Sequence, residues 1–248
     1  MDGQCLAVVS GKGGTGKTSF TAGVGCALAL QGLRVLCLDC DAGLRNLDIV
    51  LGLSDLAFMD FSDVIQGRCS LLDATVEHPR VPGLFLLTAP ASLRRNLATE
   101  KQMRALLDSV RQSFDFCLLD APAGLGHGFR LAVCGADRAV VITTSDAASL
   151  RDAQHTVMEC GQFPRESLHL VVNRVRRKLL RSMHASIDDA IDQAGLPLIG
   201  VVPEDDTLPL AMNLGVPLLL TANSGAAAAY RNIAKRIQGQ RVPLMRIR

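Results

Sequence analysis

The 248-residue sequence contains no tryptophan and a single tyrosine, and aromatic residues make up only 4% of it. Because the hydrophobic fraction is nonetheless 48%, the core must be built from aliphatic side chains, as is typical of a parallel sheet covered by helices. A chain of this length can bury roughly three quarters of its unfolded surface in one domain. We therefore expect a single domain over residues 1–248, with a short basic and apolar tail at 239–248.

The sequence also lacks a secretory signal and any apolar run long enough to span a membrane. Its formal net charge of +2 gives no global attraction to nucleic acid. Eight cysteines are spread over a chain too long to need disulfides, and we interpret them as small buried hydrophobic residues. Cys37 and Cys40 form one Cys-x-x-Cys pair, which leaves a redox or metal site as a minor alternative. These features predict a cytoplasmic protein.

Short apolar runs alternate with helical patterns along the chain. The runs predict buried strands at 6–9, 35–38, 84–87, 116–119, 139–142, 168–172 and 198–202. The helical patterns cover 17–30, 100–113, 149–160, 182–194 and 225–238. Strands joined through helices form parallel crossovers, so we predict an α/β fold, a doubly wound and mostly parallel sheet of about 7–8 strands with helices on both faces. Ligands of such sheets bind at the carboxyl ends of the strands.

Residues 11–18 read Gly-Lys-Gly-Gly-Thr-Gly-Lys-Thr and connect the first predicted strand to the first predicted helix. This is the context that a phosphate-binding loop requires. Its glycines let successive N–H groups point at a polyphosphate, and the helix adds its positive N-terminal end. We expect Lys17 to bridge the terminal phosphates and Thr18 to offer its hydroxyl to Mg²⁺. The predicted nucleotide-binding residues of the loop are Gly11, Lys12, Gly13, Gly14, Thr15, Gly16, Lys17 and Thr18.

A second lysine, Lys12, follows the first glycine of this loop. On the outer arc of the loop, its side chain cannot easily fold back onto its own phosphates. A functional Lys12 would therefore contact nucleotide held by another subunit. The hypothesis is an ATPase that completes its site by dimerising, and a solvent-facing Lys12 is the alternative.

Acidic residues directly follow two other predicted strands. Asp39 and Asp41 follow the run 35–38, and Asp120 follows the run 116–119 and opens the glycine-bearing turn 120–124. One carboxylate can hold the magnesium shell while another orients the attacking water, and such a turn can sense the γ-phosphate. Taken singly, each acid could instead cap a helix or solvate a loop.

The phosphate loop with its extra lysine resembles the deviant Walker A motif of the MinD/ParA family of P-loop ATPases. Residues 39–48, Asp-Cys-Asp-Ala-Gly-Leu-Arg-Asn-Leu-Asp, contain a segment similar to the first switch region of the MinD branch. Further similar segments are spread over nearly the whole chain, at 120–124, 143–144, 149–152, 172–175 and 200–205.

This resemblance implies roles for the residues around the phosphates. Lys12 would reach the partner's ATP across a face-to-face homodimer, and Asp41 would orient the hydrolytic water. Asp39 and Asp120 would support the Mg²⁺ that Thr18 binds. Since a cation supplied in trans can accelerate phosphoryl transfer by roughly 10³ to 10⁵, a lone subunit is expected to hydrolyse ATP slowly.

The resemblance also implies roles further from the phosphates. Asn173 and the loop of Pro203, Glu204 and Asp205 would recognise adenine, although an asparagine at a strand end is often only a turn residue. Asp152 would lie near the dimer and partner surface. The implied partners are a division inhibitor (MinC-like) and an ATPase-stimulating protein (MinE-like or a topological equivalent), in a switch that places the division site.

The family members that this sequence resembles commonly end in an amphipathic helix that binds membranes. The tail at 239–248 carries three arginines and several apolar residues, but Pro243 interrupts any helix. We therefore expect either weak binding to anionic membrane that requires the dimer, or a protein that works without the membrane. The first alternative would give a peripheral location at the inner face of the cell membrane.

Two alternative functions remain at this level. The first is a ParA-like partition or positioning ATPase that acts on nucleoid DNA or at a polar or flagellar site. A basic cluster could bind DNA for this purpose, although no aromatic residues are interleaved with it. The cluster consists of Arg174, Arg176, Arg177, Lys178 and Arg181. An iron–sulfur carrier is the third interpretation, and its support is limited to Cys134, which lies after the Asp120 turn.

Overall fold

The computed structural model describes residues 2–91, 98–182 and 186–245, apart from the side chains of residues 177, 179 and 181. Within these residues the chain forms eight strands: β1 Gln4–Val9, β2 Val35–Asp39, β3 Val76–Glu77, β4 Leu84–Leu87, β5 Phe116–Asp120, β6 Arg138–Thr143, β7 Leu168–Val175 and β8 Leu198–Pro203. The same residues form eleven α-helices: α1 Lys17–Ala29, α2 Leu47–Leu51, α3 Phe61–Ile65, α4 Leu71–Ala74, α5 Glu100–Ser113, α6 His127–Val133, α7 Ala147–Glu159, α8 Arg177–Ser182, α9 Ile187–Ala194, α10 Thr207–Asn213 and α11 Gly225–Ile237.

The strands form one sheet in the order β3-β4-β2-β5-β1-β6-β7-β8. All neighbouring pairs are parallel except β3 and β4, which are antiparallel. The predicted α/β sheet and its seven predicted strands are therefore confirmed. The additional strand, β3, is a two-residue edge strand, too short to produce an apolar run in the sequence.

The core has two layers, one on each face of the sheet, because successive strand residues point to opposite faces. Leu6 and Val8 of β1 pack with α1 and α11, whereas Ala7 and Val9 pack with α5, α6 and α7. The core is largely aliphatic, as predicted. Its buried tyrosine, Tyr230, packs edge-on against a phenylalanine of α1.

Seven of the eight cysteines are buried, Cys69 is partly exposed, and all eight thiols are free. Cys37 belongs to the core layer beneath α1, and Cys40 belongs to the opposite layer. Burial raises the pKa of both thiols. Because the two side chains lie on opposite faces of the sheet, the Cys-x-x-Cys pair does not form a common site.

Two predicted helix boundaries differ from the structure because of capping. The helix predicted to start at 149 begins at Ala147, since the Asp146 side chain accepts a hydrogen bond from the Ser149 N–H at 3.0 Å. The continuous helix predicted at 182–194 is wrong. Instead α8 ends at residue 182 and α9 begins after Ser186, whose side chain caps it. Residues 183–185 lie outside the described part of the chain.

Residues 239–245, the described part of the predicted tail, contain no helix. The guanidinium of Arg236 donates to the Val242 carbonyl through Nε at 3.0 Å and Nη2 at 2.7 Å, and Met245 packs against the core. The tail residues 246–248 lie outside the described residues. In the part of the chain that the structure describes, no helix has both the length and the apolar character needed to cross a bilayer.

Candidate functional site

A cavity of about 590 Å³ opens at the carboxyl ends of the strands, next to the loop between β1 and α1. Its volume lies in the range of about 300–1,000 Å³ typical of small-molecule sites. Ten of the residues predicted to form the site line it: Gly13, Gly14, Gly16, Lys17, Thr18, Asp41, Asn173, Pro203, Glu204 and Asp205. The structure therefore brings the phosphate loop, one acid and the predicted base-binding elements together around one space.

The backbone of the loop requires glycine at two positions. Gly14 and Gly16 have φ angles of 78° and 91°, a region that other residues rarely adopt. A Cβ atom on Gly16 would also lie 2.3 Å from Nδ2 of Asn173. At the start of the loop, a Cβ on Gly11 would lie 2.7 Å from the carbonyl oxygen of Asp152. Asp152, predicted at the dimer surface, is thus packed beside the phosphate loop.

Lys17 is the buried cation of the loop, with 7% of its surface exposed. Its Nζ donates to Ser10 Oγ at 2.7 Å, and that hydroxyl donates to the Lys12 carbonyl at 2.7 Å. Burial lowers the pKa of Lys17, and the nearby carboxylates of Asp120 and Asp41 oppose this shift. A buried ammonium held at the start of a helix is suited to binding phosphate.

Asp39 and Asp120 lie side by side at the ends of neighbouring parallel strands and are 1% and 2% exposed. Burial raises the pKa of Asp39 to about 6. Burial and the adjacent Asp39 raise the pKa of Asp120 to about 7, against the opposing effect of a hydrogen bond with the Thr18 side chain. The pair carries negative charge that a cation would stabilise.

Asp39 and Asp120, together with Thr18, fit a magnesium ion. Mg²⁺ prefers hard oxygen ligands such as carboxylates and hydroxyls, and Thr18, Asp39 and Asp120 supply these groups in one place. Asp39 also accepts hydrogen bonds from the N–H groups of Asp41 and Leu47, at 2.8 and 3.2 Å. Asp39 therefore anchors both ends of the segment that carries Asp41.

Asp41 lines the cavity and is partly buried. Burial raises its pKa, and the charge of Lys17 acts in the opposite direction. A carboxylate in this position can accept a proton from, or orient, a water molecule beside the phosphates.

The predicted base-binding elements, Asn173 and the loop from Pro203 to Asp205, make several hydrogen bonds within the protein. Asn173 is 2% exposed and donates through Nδ2 to the Thr15 carbonyl at 2.8 Å. The carboxylate of Asp205 accepts from the N–H of Thr207 at 3.0 Å and of Ala226 at 2.9 Å. These contacts hold Asn173 and the loop from Pro203 to Asp205 in place beside the cavity.

Lys12 does not line the cavity. Its Nζ lies 3.2 Å from Oδ1 of Asp146, and the two side chains are 37% and 50% exposed. Lys12 therefore faces the surface of its own subunit, beside the N-terminus of α7.

Asp146 and Arg174 were not assigned to this site by sequence reasoning. Asp146 is the N-cap of α7, and its signal was visible as an acid three residues before Ser149. Arg174 lines the cavity and has a φ of 55°, which no sequence pattern reveals. Its guanidinium contacts Glu204, a residue expected to read the base.

The basic cluster considered as a DNA surface is partly neutralised. Arg174 and Arg176 both pair with Glu204, at 3.0 and 3.5 Å. The side chains of Arg177 and Arg181, which also belong to this cluster, lie outside the described residues. The described part of the cluster thus offers less free positive charge than the sequence suggests.

Comparison with known proteins agrees with this geometry. The family CobQ/CobB/MinD/ParA nucleotide binding domain matches residues 6–218. The septum site-determining protein MinD of Bacillus subtilis is 38% identical over 98% of this chain and 91% of that protein.

Two solved structures are similar over most of their length. MinD in the MinC:MinD cell division protein complex of Aquifex aeolicus superposes with a TM-score of 0.87 and 33% identity, covering 98% of each chain. MinD from Pyrococcus horikoshii complexed with Mg-ADP has a TM-score of 0.81 and 28% identity, covering 94% of this chain and 95% of that one. The chain belongs to the MinD branch of the MinD/ParA family of nucleotide-binding proteins.

Proposed function

We propose that this chain is an ATP-dependent switch in the placement of the division site. ATP binding would drive homodimerisation and partner recruitment, and slow hydrolysis would reset the switch. The observation that carries the proposal is a complete phosphate loop whose extra lysine, Lys12, points away from its own cavity. The likeness to septum site-determining proteins gives this chemistry its cellular context.

In the proposed bound state, backbone N–H groups of the loop and the ammonium of Lys17 hold the phosphates of ATP. Thr18 and Asp120 would hold Mg²⁺, with Asp39 beside them, and this ion supplies neutralisation of the phosphate charge. The similarity to a relative solved with Mg-ADP supports this assignment. Asn173 and the loop from Pro203 to Asp205 would contact the adenine.

For hydrolysis, Asp41 would orient the attacking water, and its position in the cavity that Lys17 also lines supports this role. The partner's Lys12 would stabilise the charge that develops on the phosphates, and this makes dimerisation a condition for turnover. A subunit without a partner would bind nucleotide but hydrolyse it slowly.

The dimer surface is also the surface that we propose for partner proteins. Asp152 lies beside Gly11 of the phosphate loop, so a partner bound there would contact a residue packed against this loop. The relative solved as a MinC:MinD complex supports a MinC-like division inhibitor as one partner. A MinE-like or equivalent protein would stimulate hydrolysis. We propose only weak, peripheral contact with anionic membrane, because the described tail is not helical.

The test is the oligomeric state in the presence of a non-hydrolysable ATP analogue. Analytical ultracentrifugation should show a dimer with the analogue and a monomer with ADP. Lys17→Ala should abolish both nucleotide binding and the dimer, whereas Lys12→Ala should bind ADP normally and fail to dimerise. A wild-type protein that stays monomeric with every nucleotide would refute the proposal.

The working surface is tested separately by sedimentation with ATP. The protein is mixed with anionic vesicles or with nonspecific duplex DNA, and neutral vesicles serve as the control. Retention on DNA but not on anionic vesicles would favour the partition function over the division-site function.

A further inference from the structure

The phosphate loop is held from outside by two consecutive residues of the β7 end. Asn173 donates through Nδ2 to the Thr15 carbonyl at 2.8 Å, and Arg174 donates through Nη1 to the Gly14 carbonyl at 3.2 Å. Two successive carbonyls of the loop are therefore fixed by two successive side chains. The Asn173 contact also closes the space that a Cβ on Gly16 would need.

These two hydrogen bonds determine the direction in which the backbone N–H groups of the loop point. In a trans peptide the carbonyl and the following N–H point in opposite directions, and the described residues include no cis peptide bond. Because the Gly14 and Thr15 carbonyls face the β7 end, the N–H groups of Thr15 and Gly16 face away from it. Consecutive N–H groups on one side form the anion-binding concavity that a phosphate requires.

Arg174 is itself held in place by Glu204, the residue that follows β8. Its Nε and Nη2 donate to the two carboxylate oxygens of Glu204, at 3.0 and 3.2 Å. Such a bidentate pair fixes the plane of the guanidinium, which leaves Nη1 directed at the loop. The N–H of Glu204 in turn donates to the Val175 carbonyl at 3.1 Å, so the acid is anchored to the same strand end.

The backbone at Arg174 is unusual for an arginine. Its φ is 55°, in the left-handed region that side chains other than glycine, asparagine and aspartate rarely adopt. The pairing of β7 with β8 is also irregular between Val172 and Val175. Strained conformations persist where the surrounding structure enforces them, and they concentrate at functional sites.

From these contacts we propose that Arg174 is a positioning residue for the nucleotide phosphates, held by Glu204 and acting through the Gly14 carbonyl. It preorganises the loop's N–H groups and links the base-binding loop to the phosphate loop. The inference rests on the proposed nucleotide binding, and it adds a role that the base-recognition assignment of Glu204 does not include.

The experiment compares the affinity of ADP with that of adenosine by calorimetry. We choose Arg174→Asn, because asparagine tolerates a positive φ and the variant therefore isolates the loss of the guanidinium. Because the Arg174 side chain is 52% exposed, solvent screens this hydrogen bond, and its contribution is about 0.7–1.4 kcal/mol, which corresponds to roughly three- to tenfold in affinity. We expect ADP to bind about three- to tenfold more weakly and adenosine to bind within about twofold of wild type.

The matched control is Arg176→Ala, because Arg176 pairs with the same carboxylate at 3.5 Å, yet none of its described contacts reaches the loop. This control should bind ADP as wild type does. Glu204→Gln is the second variant, and it should also weaken ADP binding. In the double variant, the loss of affinity should be smaller than the sum of the two single losses, because both changes remove the same Arg174–Glu204 arrangement.

The inference is overturned if Arg174→Asn binds ADP as tightly as wild type, or if ADP and adenosine weaken equally, which would indicate a contact with the base. It is also overturned if the effects of Arg174→Asn and Glu204→Gln simply add. Failure of the wild-type protein to bind ADP would instead refute the proposed function itself, so the two failures are distinguishable.

Discussion

The ammonium of Lys12 lies 3.2 Å from the carboxylate of Asp146 in the same subunit. The lysine that we propose to act on a partner's nucleotide is therefore occupied within its own chain. Both side chains are substantially exposed, 37% and 50%, and exposed ion pairs contribute about 0.2–1 kcal/mol. Such a contact can be exchanged for a phosphate at small cost when two subunits meet.

Removing the Asp146 charge should favour the dimer. Asp146→Asn keeps a good N-cap for α7 but loses the ion pair, so Lys12 becomes available to the partner. We expect the dimer with a non-hydrolysable ATP analogue to become about two- to fivefold tighter, as measured by analytical ultracentrifugation. The control is Asp146→Glu, which keeps the negative charge beside Lys12, and no gain should occur there. An equal gain there would show that the ion pair is not the cause.

The stability of the nucleotide-free protein should fall as pH rises toward 8. The pKa of Asp39 is raised to about 6 and that of Asp120 to about 7. The folded state therefore retains protons that the unfolded state releases near the ordinary aspartate pKa of about 3.8. The free energy of unfolding should therefore decline as pH rises above this unfolded-state pKa. The decline ends once both carboxyls have ionised in the folded protein.

Urea denaturation at pH 5.5 and at pH 8 measures this decline. Asp120→Asn removes the larger titration, so the difference between the two pH values should shrink in that variant. If wild type and Asp120→Asn lose the same free energy of unfolding between these pH values, the buried carboxyl is not responsible.

Two glycines of the phosphate loop should respond differently to alanine. Both have positive φ angles, so each substitution introduces backbone strain of about 1–2 kcal/mol. At Gly14 no atom lies within 4 Å of the added Cβ, whereas at Gly16 the Cβ would meet Nδ2 of Asn173 at 2.3 Å. We expect Gly16→Ala to abolish ADP binding and Gly14→Ala to weaken it only moderately. Equal losses in calorimetry would mean that strain alone matters.

Much of the fold could be predicted because the strands of a parallel sheet are continuous apolar runs. The run 116–119 and the acid that follows it show this clearly, since β5 ends at Asp120 and places this acid beside Asp39. The two-residue strand β3 could not be found in this way. The start of α9 was missed because its position depends on a capping contact of Ser186 with Asp189.

The site was less predictable where function depends on which neighbour a side chain contacts. The loop of residues 11–18 can be recognised in the sequence from its glycines and lysines. The sequence could not show that Glu204 holds Arg174, because that contact depends on a left-handed backbone and an irregular strand pairing. It also could not show that Lys12 pairs with Asp146, 134 residues away.

The central claim, that Lys12 acts on the nucleotide of the other subunit, is tested most directly by mixing two inactive variants. Lys12→Ala retains its own phosphate site but supplies no lysine to a partner, and Lys17→Ala loses its own site but retains Lys12. A mixed dimer contains one complete site. We expect the ATPase rate of the mixture to exceed clearly the sum of the two separate rates. A rate equal to that sum, with mixed dimers demonstrated in the same sample, would contradict the account.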